Sequence, residues 1–217
     1  MSLDVIQRLR DGGVIAIFRR VDPDRIRPLI DAVVAGGVRA VELTVDSEGA
    51  FETIRAVRES AGPELLVGAG TVMTSEQVAR AIEAGADFLL SPHLDASVVS
   101  YARQHKRAFI PGVTTPTEVV QALRAGAPML KLFPAGPLGP GYLKDLLGPF
   151  RGVAFVPTGG ITPETAPDYI RAGAAAVGMG SALVNPADVA AGRWDAVTAR
   201  VRALVQAVQA ARAEARG

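Results

Sequence analysis

The chain has 217 residues, a formal net charge of +1 and 49% hydrophobic residues, with no cysteine. This length suits one large domain or two small ones and is ample for a core. The composition excludes disulfides and thiolate metal sites; the mixed charge offers no basic footprint, so nucleic acid is not an expected partner; and no apolar run reaches the ~18 residues of a membrane-spanning helix.

In chain order, "MSLDVIQRLRDGG" reads as a short amphipathic helix, with Leu3, Ile6 and Leu9 at helical spacing. It lacks the apolar centre of a signal peptide, so a cytoplasmic setting is expected. "VIAIF" at 14–18 reads as the first strand, and "DPDRIRPLI" as a helix with an Asp cap and Pro28 early in it. Four later segments share one form: "AGGVRAVELTV" from Ala35, "AGADFLLSP" from Ala84, "AGAPMLKLFP" from Ala125 and "AGAAAVGMG" from Ala172. In each, the glycine after the alanine should end a helix, because a C-cap needs positive φ. The apolar run that follows should be a buried strand.

Further strands are expected at "LLVGAG" (65–70), "AFIPG" (108–112) and "AFVPTGG" (154–160). "TSEQVARAI", "TPTEVVQAL" and "TPETAPDYI" open with Thr caps, the last with Pro167 early in its helix. From Asp195 a last amphipathic helix carries Val197, Val201, Leu204 and Val208, and ends in a solvated "ARAEARG". Strand starts near 14, 40, 65, 88, 108, 129, 154 and 175 leave room each time for one helix and two short turns. Eight such units predict an α/β fold, a (β/α)8 TIM barrel with a short N-terminal and a C-terminal helix, as one domain over residues 1–217. A doubly wound open sheet is the rival, but it gives no reason for eight evenly spaced units.

In such a barrel the site lies at the C-terminal strand ends. The polar residues there are Arg19, Glu42, Thr44, Thr71, Ser91, His93, Thr114, Lys131, Thr158 and Ser181, with Pro92 and Phe133 beside them. Two are ionisable inside apolar strands: Glu42 in "AVELTV" and Lys131 in "MLKLF". A buried structural ion pair would explain both, but such pairs stabilise weakly. A chemical use explains them better. Desolvation and neighbours would keep Lys131 partly neutral, hence nucleophilic toward a ketone, with Glu42 shuttling protons at a raised pKa. Lys106 and Lys144, the other lysines, lack the apolar setting.

The glycines of "PTGGIT" and "GMGSAL" place Gly159, Gly160, Gly180 and Ser181 where barrels hold a phosphate, the second stretch opening a short helix. The two histidines, His93 and His105, have no ligand spacing, so no metal is expected. His93 reads as a loop residue. Arg19 fits equally a clamp for a substrate carboxylate and a loop cap.

Taken together, "GGVIAIFR", "AGGVRAVELT", "VGAGTV", "SPHLD", "IPGVTTPTE", "LKLFPA", "VPTGGIT" and "GSALV" resemble the family of 2-keto-3-deoxy-6-phosphogluconate (KDPG) aldolases, which often also act on 4-hydroxy-2-oxoglutarate (KHG). The resemblance implies a class I aldolase with no metal and no cofactor, assembled as a homotrimer. It implies Lys131 as the Schiff-base lysine and Glu42 as the proton shuttle. Thr71 would lie near the pyruvate moiety, with Gly159, Gly160, Gly180 and Ser181 around the phosphate. Phe133 and Pro92 would keep the lysine pocket dry, and Arg19 and Thr158 would complete the substrate contacts. One departure stands out: many members carry T-L-R-T after the glutamate, and here "TVDS" puts Asp46 in the arginine's place. Arg19 could bind the carboxylate instead. A phosphosugar epimerase or isomerase, or a non-catalytic sugar-phosphate sensor, would need the same strand ends without the covalent step.

Overall fold

A computed structural model describes residues 2–215, apart from the side chains of residues 2 and 3, so the apolar contact expected of Leu3 and the last two residues of the tail lie outside the described set. Strands and helices alternate: α1 (Ser2–Gly12), β1 (Val14–Phe18), α2 (Pro23–Ala35), β2 (Ala40–Thr44), α3 (Ala50–Ser60), β3 (Leu66–Gly70), α4 (Ser75–Glu83) and β4 (Phe88–Leu90). There follow α5 (Ala96–Gln104), β5 (Ala108–Ile110), β6 (Gly112–Val113), α6 (Pro116–Ala125), β7 (Leu130–Leu132) and α7 (Gly139–Leu147). The chain ends with β8 (Phe155–Pro157), α8 (Ala166–Arg171), β9 (Val177–Met179), α9 (Pro186–Ala190) and α10 (Trp194–Glu214). No described helix is long and apolar enough to cross a membrane.

The fold is α/β with parallel strands, but the ladders form two sheets where the sequence predicts one ring. One has six strands in the order β5-β4-β3-β2-β1-β9, the other three in the order β6-β7-β8. The expected fifth strand is cut at Pro111, which has no N–H to give to a ladder. Its carbonyl still accepts from Lys131 N at 2.9 Å, so the cut leaves β7 in register beside β6. A lone bridge, Thr158↔Gly178, links the end of β8 to β9.

Side chains alternate across a strand, and two buried clusters follow from it. The larger lies where the helices pack on the strands, with Val41, Leu43, Val67, Leu89, Leu130 and Leu132 of the sheets. The smaller takes the opposite parity: Ile15, Ala40, Leu66, Phe88, Ala108, Met129, Val156 and Ala176. Ile6 and Leu9 of α1 join this second cluster, so the N-terminal helix seals one end of it. Glu42, Lys131, Thr158 and Gly178 stand two residues beyond Ala40, Met129, Val156 and Ala176, so they share its parity. The polar residues therefore continue the smaller cluster toward the C-terminal strand ends.

Several helix ends follow the expected capping. Thr115 and Glu118 form a capping box at α6, and Gly126 closes that helix at φ 88°. In the first repeat the left-handed residue is Gly37 (φ 105°), not the expected Gly36, which stays helical at φ −75°. The helix expected from Asp195 begins one residue earlier, at Trp194. Its tail is less solvated than expected. Ala211 is buried, and Arg212 donates to the carbonyls of Asp11 and Ala175 at 3.0 and 2.9 Å. α9 escaped the sequence reading because it is a single turn capped by Asn185.

Asp188 ties α9 to α10. It is buried, and accepts from Arg193 Nε at 2.8 Å and Arg200 Nη2 at 2.7 Å. Hydrogen bonds from Arg200, then Arg193, hold its carboxyl below the usual aspartate range. A group with a lowered pKa stabilises above its unfolded value and loses that as pH falls. Asp188→Asn should therefore lower the thermal midpoint by several degrees near neutral pH. Scanning calorimetry should find the gap closing on acidification below the carboxylate range.

Candidate active site

β2 delivers Glu42 with its side chain 1% exposed. Its register partners are Ile17 of β1 and Gly68 of β3. Room for the carboxyl comes from the next glycine on that strand, since a Cβ on Gly70 would overlap Glu42 Oε1. Glu42 Oε2 is buried and has no hydrogen-bond partner among the described residues. Burial raises the pKa of this carboxyl; the charges of Lys131 and Arg19 lower it, and that of Asp46 raises it. Burial dominates because a carboxylate without hydrogen bonds loses its hydration with nothing in exchange.

β7 delivers Lys131, 5% exposed. Its Nζ stands 5.1 Å from the centroid of the Phe133 ring, within cation–π range. No ion pair joins Lys131 to Glu42, so the structural salt bridge considered for these residues does not form. Lys106 and Lys144 are both exposed, as their sequence setting suggested.

Both buried groups open into one cavity of about 1070 Å³ at the C-terminal strand ends. Arg19, Phe133 and Thr158 line it with them, as do the turns carrying Gly159–Gly160 and Gly180–Ser181. Gly159 and Gly160 take φ values of 85° and 76°, and a Cβ on Gly159 would lie 2.8 Å from the Phe133 ring. Glycine is required there both by backbone and by space. Ser181 differs from expectation: it opens a run of turns in which Leu183 N and Val184 N both donate to Gly180 O, rather than a helix.

Thr71 and Pro92 do not line the cavity. Thr71, at φ 60°, accepts instead from Arg19 Nη2 at 3.2 Å. Pro92 packs against β6 instead: a Cβ on Gly112 would strike its backbone carbonyl, so β6 runs hard against the loop after β4. His93, whose carbonyl accepts from the Ser91 hydroxyl, is a loop residue outside the cavity.

Sequence reasoning singled out Arg19 but not its company. Arg20 and Arg25 also line the cavity. The signal for both was the arginine-rich "RRVDPDR" immediately after β1. Asp46, noted only as a departure from a motif, is the ion-pair partner of Arg19.

A primary amine and an unpaired carboxyl in one cavity can condense the amine with a ketone and move protons around the adduct. The turns carrying Gly159–Gly160 and Gly180–Ser181 bring uncharged backbone to the same cavity, a setting that suits an anion.

Known proteins resemble this chain over most of its length. Residues 5–200 match the family model "KDPG and KHG aldolase". The KHG/KDPG aldolase of Escherichia coli K12 is 37% identical over 199 residues, 91% of this chain and 93% of that protein. The crystal structure of 2-keto-3-deoxy-6-phosphogluconate aldolase from Zymomonas mobilis ATCC 29191 superposes with a TM-score of 0.83 at 34% identity, covering 94% of this chain and 97% of that one. The KDPG aldolase from Legionella pneumophila, with pyruvate captured as a covalent carbinolamine, superposes at 0.86 with 29% identity, over 92% and 97% of the two chains. Match and relatives run across nearly the whole chain, and on them this protein belongs to the KDPG and KHG aldolase family, whose members are carbon–carbon lyases.

Proposed function

We propose that this aldolase cleaves 2-keto-3-deoxy-6-phosphogluconate to pyruvate and glyceraldehyde 3-phosphate, and 4-hydroxy-2-oxoglutarate to pyruvate and glyoxylate, through a Schiff base on Lys131. The observation that carries this is the placing of Lys131 and an unpartnered Glu42 carboxyl in one cavity.

Lys131 Nζ adds to the C2 ketone, and loss of water from the carbinolamine leaves an iminium. Glu42 takes the C4 hydroxyl proton, directly or through a water. The C3–C4 bond breaks, its electron pair flows into the iminium, and the aldehyde departs. The enamine takes a proton at C3, and water hydrolyses the resulting iminium to release pyruvate and the free amine. The carbinolamine captured in the Legionella relative supports the first step. Binding the phosphate at Gly159, Gly160, Gly180 and Ser181 would hold the reacting carbons in place. Phe133 would shield the amine from water, and Arg19, held by Thr71, would face the substrate carboxylate.

The bridge between β8 and β9, and the single residue Pro111 that separates β5 from β6, support reading the two sheets as one closed (β/α)8 barrel and the chain as a single domain. The family resemblance supports a cytoplasmic homotrimer, which sedimentation would test.

Incubation with pyruvate and borohydride tests the chemistry. Peptide mapping should place one reduced pyruvate adduct on Lys131. No adduct, or one on Lys106 or Lys144, rejects the mechanism and returns the non-covalent epimerase or sensor to consideration. Gly70→Ala gives a sharper check on geometry. The added methyl must push the Glu42 carboxyl aside. Cleavage should then fall about a hundredfold, the cost of a small misplacement of a reacting group, while the pyruvate adduct still forms on Lys131.

A further inference from the structure

Arg19 reaches from the end of β1 over the ends of β2 and β3. Its Nη1 donates to Asp46 Oδ2 and its Nη2 to the Thr71 hydroxyl. Asp46 stands four residues beyond Glu42 on the same chain segment. Arg20 Nη2 lies 3.9 Å from the same Asp46 oxygen, and its backbone N–H donates to Ser47 Oγ at 3.0 Å. The segments after β1 and β2 are thus laced together at the rim.

An exposed ion pair by itself counts for little. This one differs in two respects. Arg19 lines the cavity and Asp46 does not, so the carboxylate grips the guanidinium from outside the cavity. The second anchor, Thr71, adopts φ 60°, a conformation rare for a β-branched residue. A guanidinium has five N–H donors; Asp46 and Thr71 each engage one, and the rest stay available for the cavity.

We infer that Asp46 is a positioning residue, which holds Arg19 so that its free N–H groups meet the carboxylate of the keto acid bound at Lys131. The inference rests on the Schiff-base reading above. An acid at this position therefore serves the substrate carboxylate at one remove, by orienting the cation that binds it. A flexible arginine, half exposed, would otherwise have to be immobilised at each binding event. Asp46 also balances the charge around Glu42. Burial is the largest influence on that carboxyl, Lys131 and Arg19 pull its pKa down, and Asp46 pushes it up.

Two variants separate positioning from charge. Asp46→Ala removes the grip, while Asp46→Asn keeps an oxygen that accepts from Arg19. The half-saturating pyruvate concentration in borohydride trapping should rise about tenfold in Asp46→Ala, as for loss of an oriented contact. In Asp46→Asn it should stay within about threefold of the parent, because the acceptor remains. Placed in an Arg19→Ala background, Asp46→Ala should have no further effect. Both variants lose the negative charge, so the acidic limb of the cleavage rate should move to lower pH in both. The inference is overturned if Asp46→Ala leaves half-saturation unchanged, if Asp46→Asn is as impaired as Asp46→Ala, or if the loss persists without Arg19. Failure of the unaltered protein to trap pyruvate would overturn the Schiff-base reading and this inference with it. Trapping by the unaltered protein, with Asp46→Ala alike, overturns this inference alone.

Discussion

Lys131→Met should yield a folded protein that forms no pyruvate adduct and whose kcat/KM is lower by a factor on the order of 10⁴ or more, as for removal of a covalent nucleophile. Methionine matches the length of the lysine stem and suits an apolar site. Lys131 stands in a strand with no exposed residue, and its stem shares the face of Met129, opposite to Leu130 and Leu132. Among the described residues no carboxylate pairs with the amine, and its aromatic neighbour is Phe133. Removing a buried polar head that lacks an ion-pair partner should raise stability by about 1–2 kcal/mol. Calorimetry should then record a midpoint a few degrees higher. Inactivity joined to a gain in stability marks a residue retained for chemistry. A lower midpoint would mean that Lys131 holds the strands together, and the aldol mechanism would lose its main support.

Glu42→Gln should reduce kcat by about 10²–10⁴-fold, the usual worth of a positioned proton shuttle, while Lys131 still traps pyruvate. The pH dependence carries the sharper information. Burial puts the pKa of this carboxyl above its ordinary value of 4.5. As base toward the C4 hydroxyl, Glu42 must be ionised, so cleavage should climb with pH through the raised pKa, and Glu42→Gln should lose that limb. Stability should run the other way. A carboxyl whose pKa is raised by folding stabilises fully below its unfolded value and loses this as pH rises through the folded value. Starting near pH 4.5, the midpoint of the parent should fall relative to that of Glu42→Gln as pH increases. A difference that stays flat or changes in the opposite sense would show that the carboxyl finds partners on folding, against its unpaired Oε2.

Much of the site was legible before any coordinates. Glu42 and Lys131 interrupt apolar runs, and the period of a strand puts each on the parity of the smaller buried cluster. The glycine pair marked the turn at 159–160, where both residues hold positive φ and a Cβ on Gly159 would crowd the Phe133 ring. The break at Pro111 could have been anticipated from its missing N–H, yet a proline at a strand edge costs nothing, and only the neighbours of a strand say whether it is an edge. The helix expected to open at Ser181 is a run of turns, because a glycine-rich turn and the first turn of a helix look alike in sequence.

By itself, then, the sequence determined the alternation of strand and helix, the faces of the strands, and the identity of the two ionisable residues within them. These depend on periods of two and of 3.6 residues, which a chain carries locally. The tertiary structure alone decided that the ladders split six and three, that Gly70 vacates the space filled by the Glu42 carboxyl, and that Asp46 grips Arg19 across 27 residues. Such contacts join segments whose order in the chain says nothing about their distance, and they exist only once packing has fixed which strand end faces which.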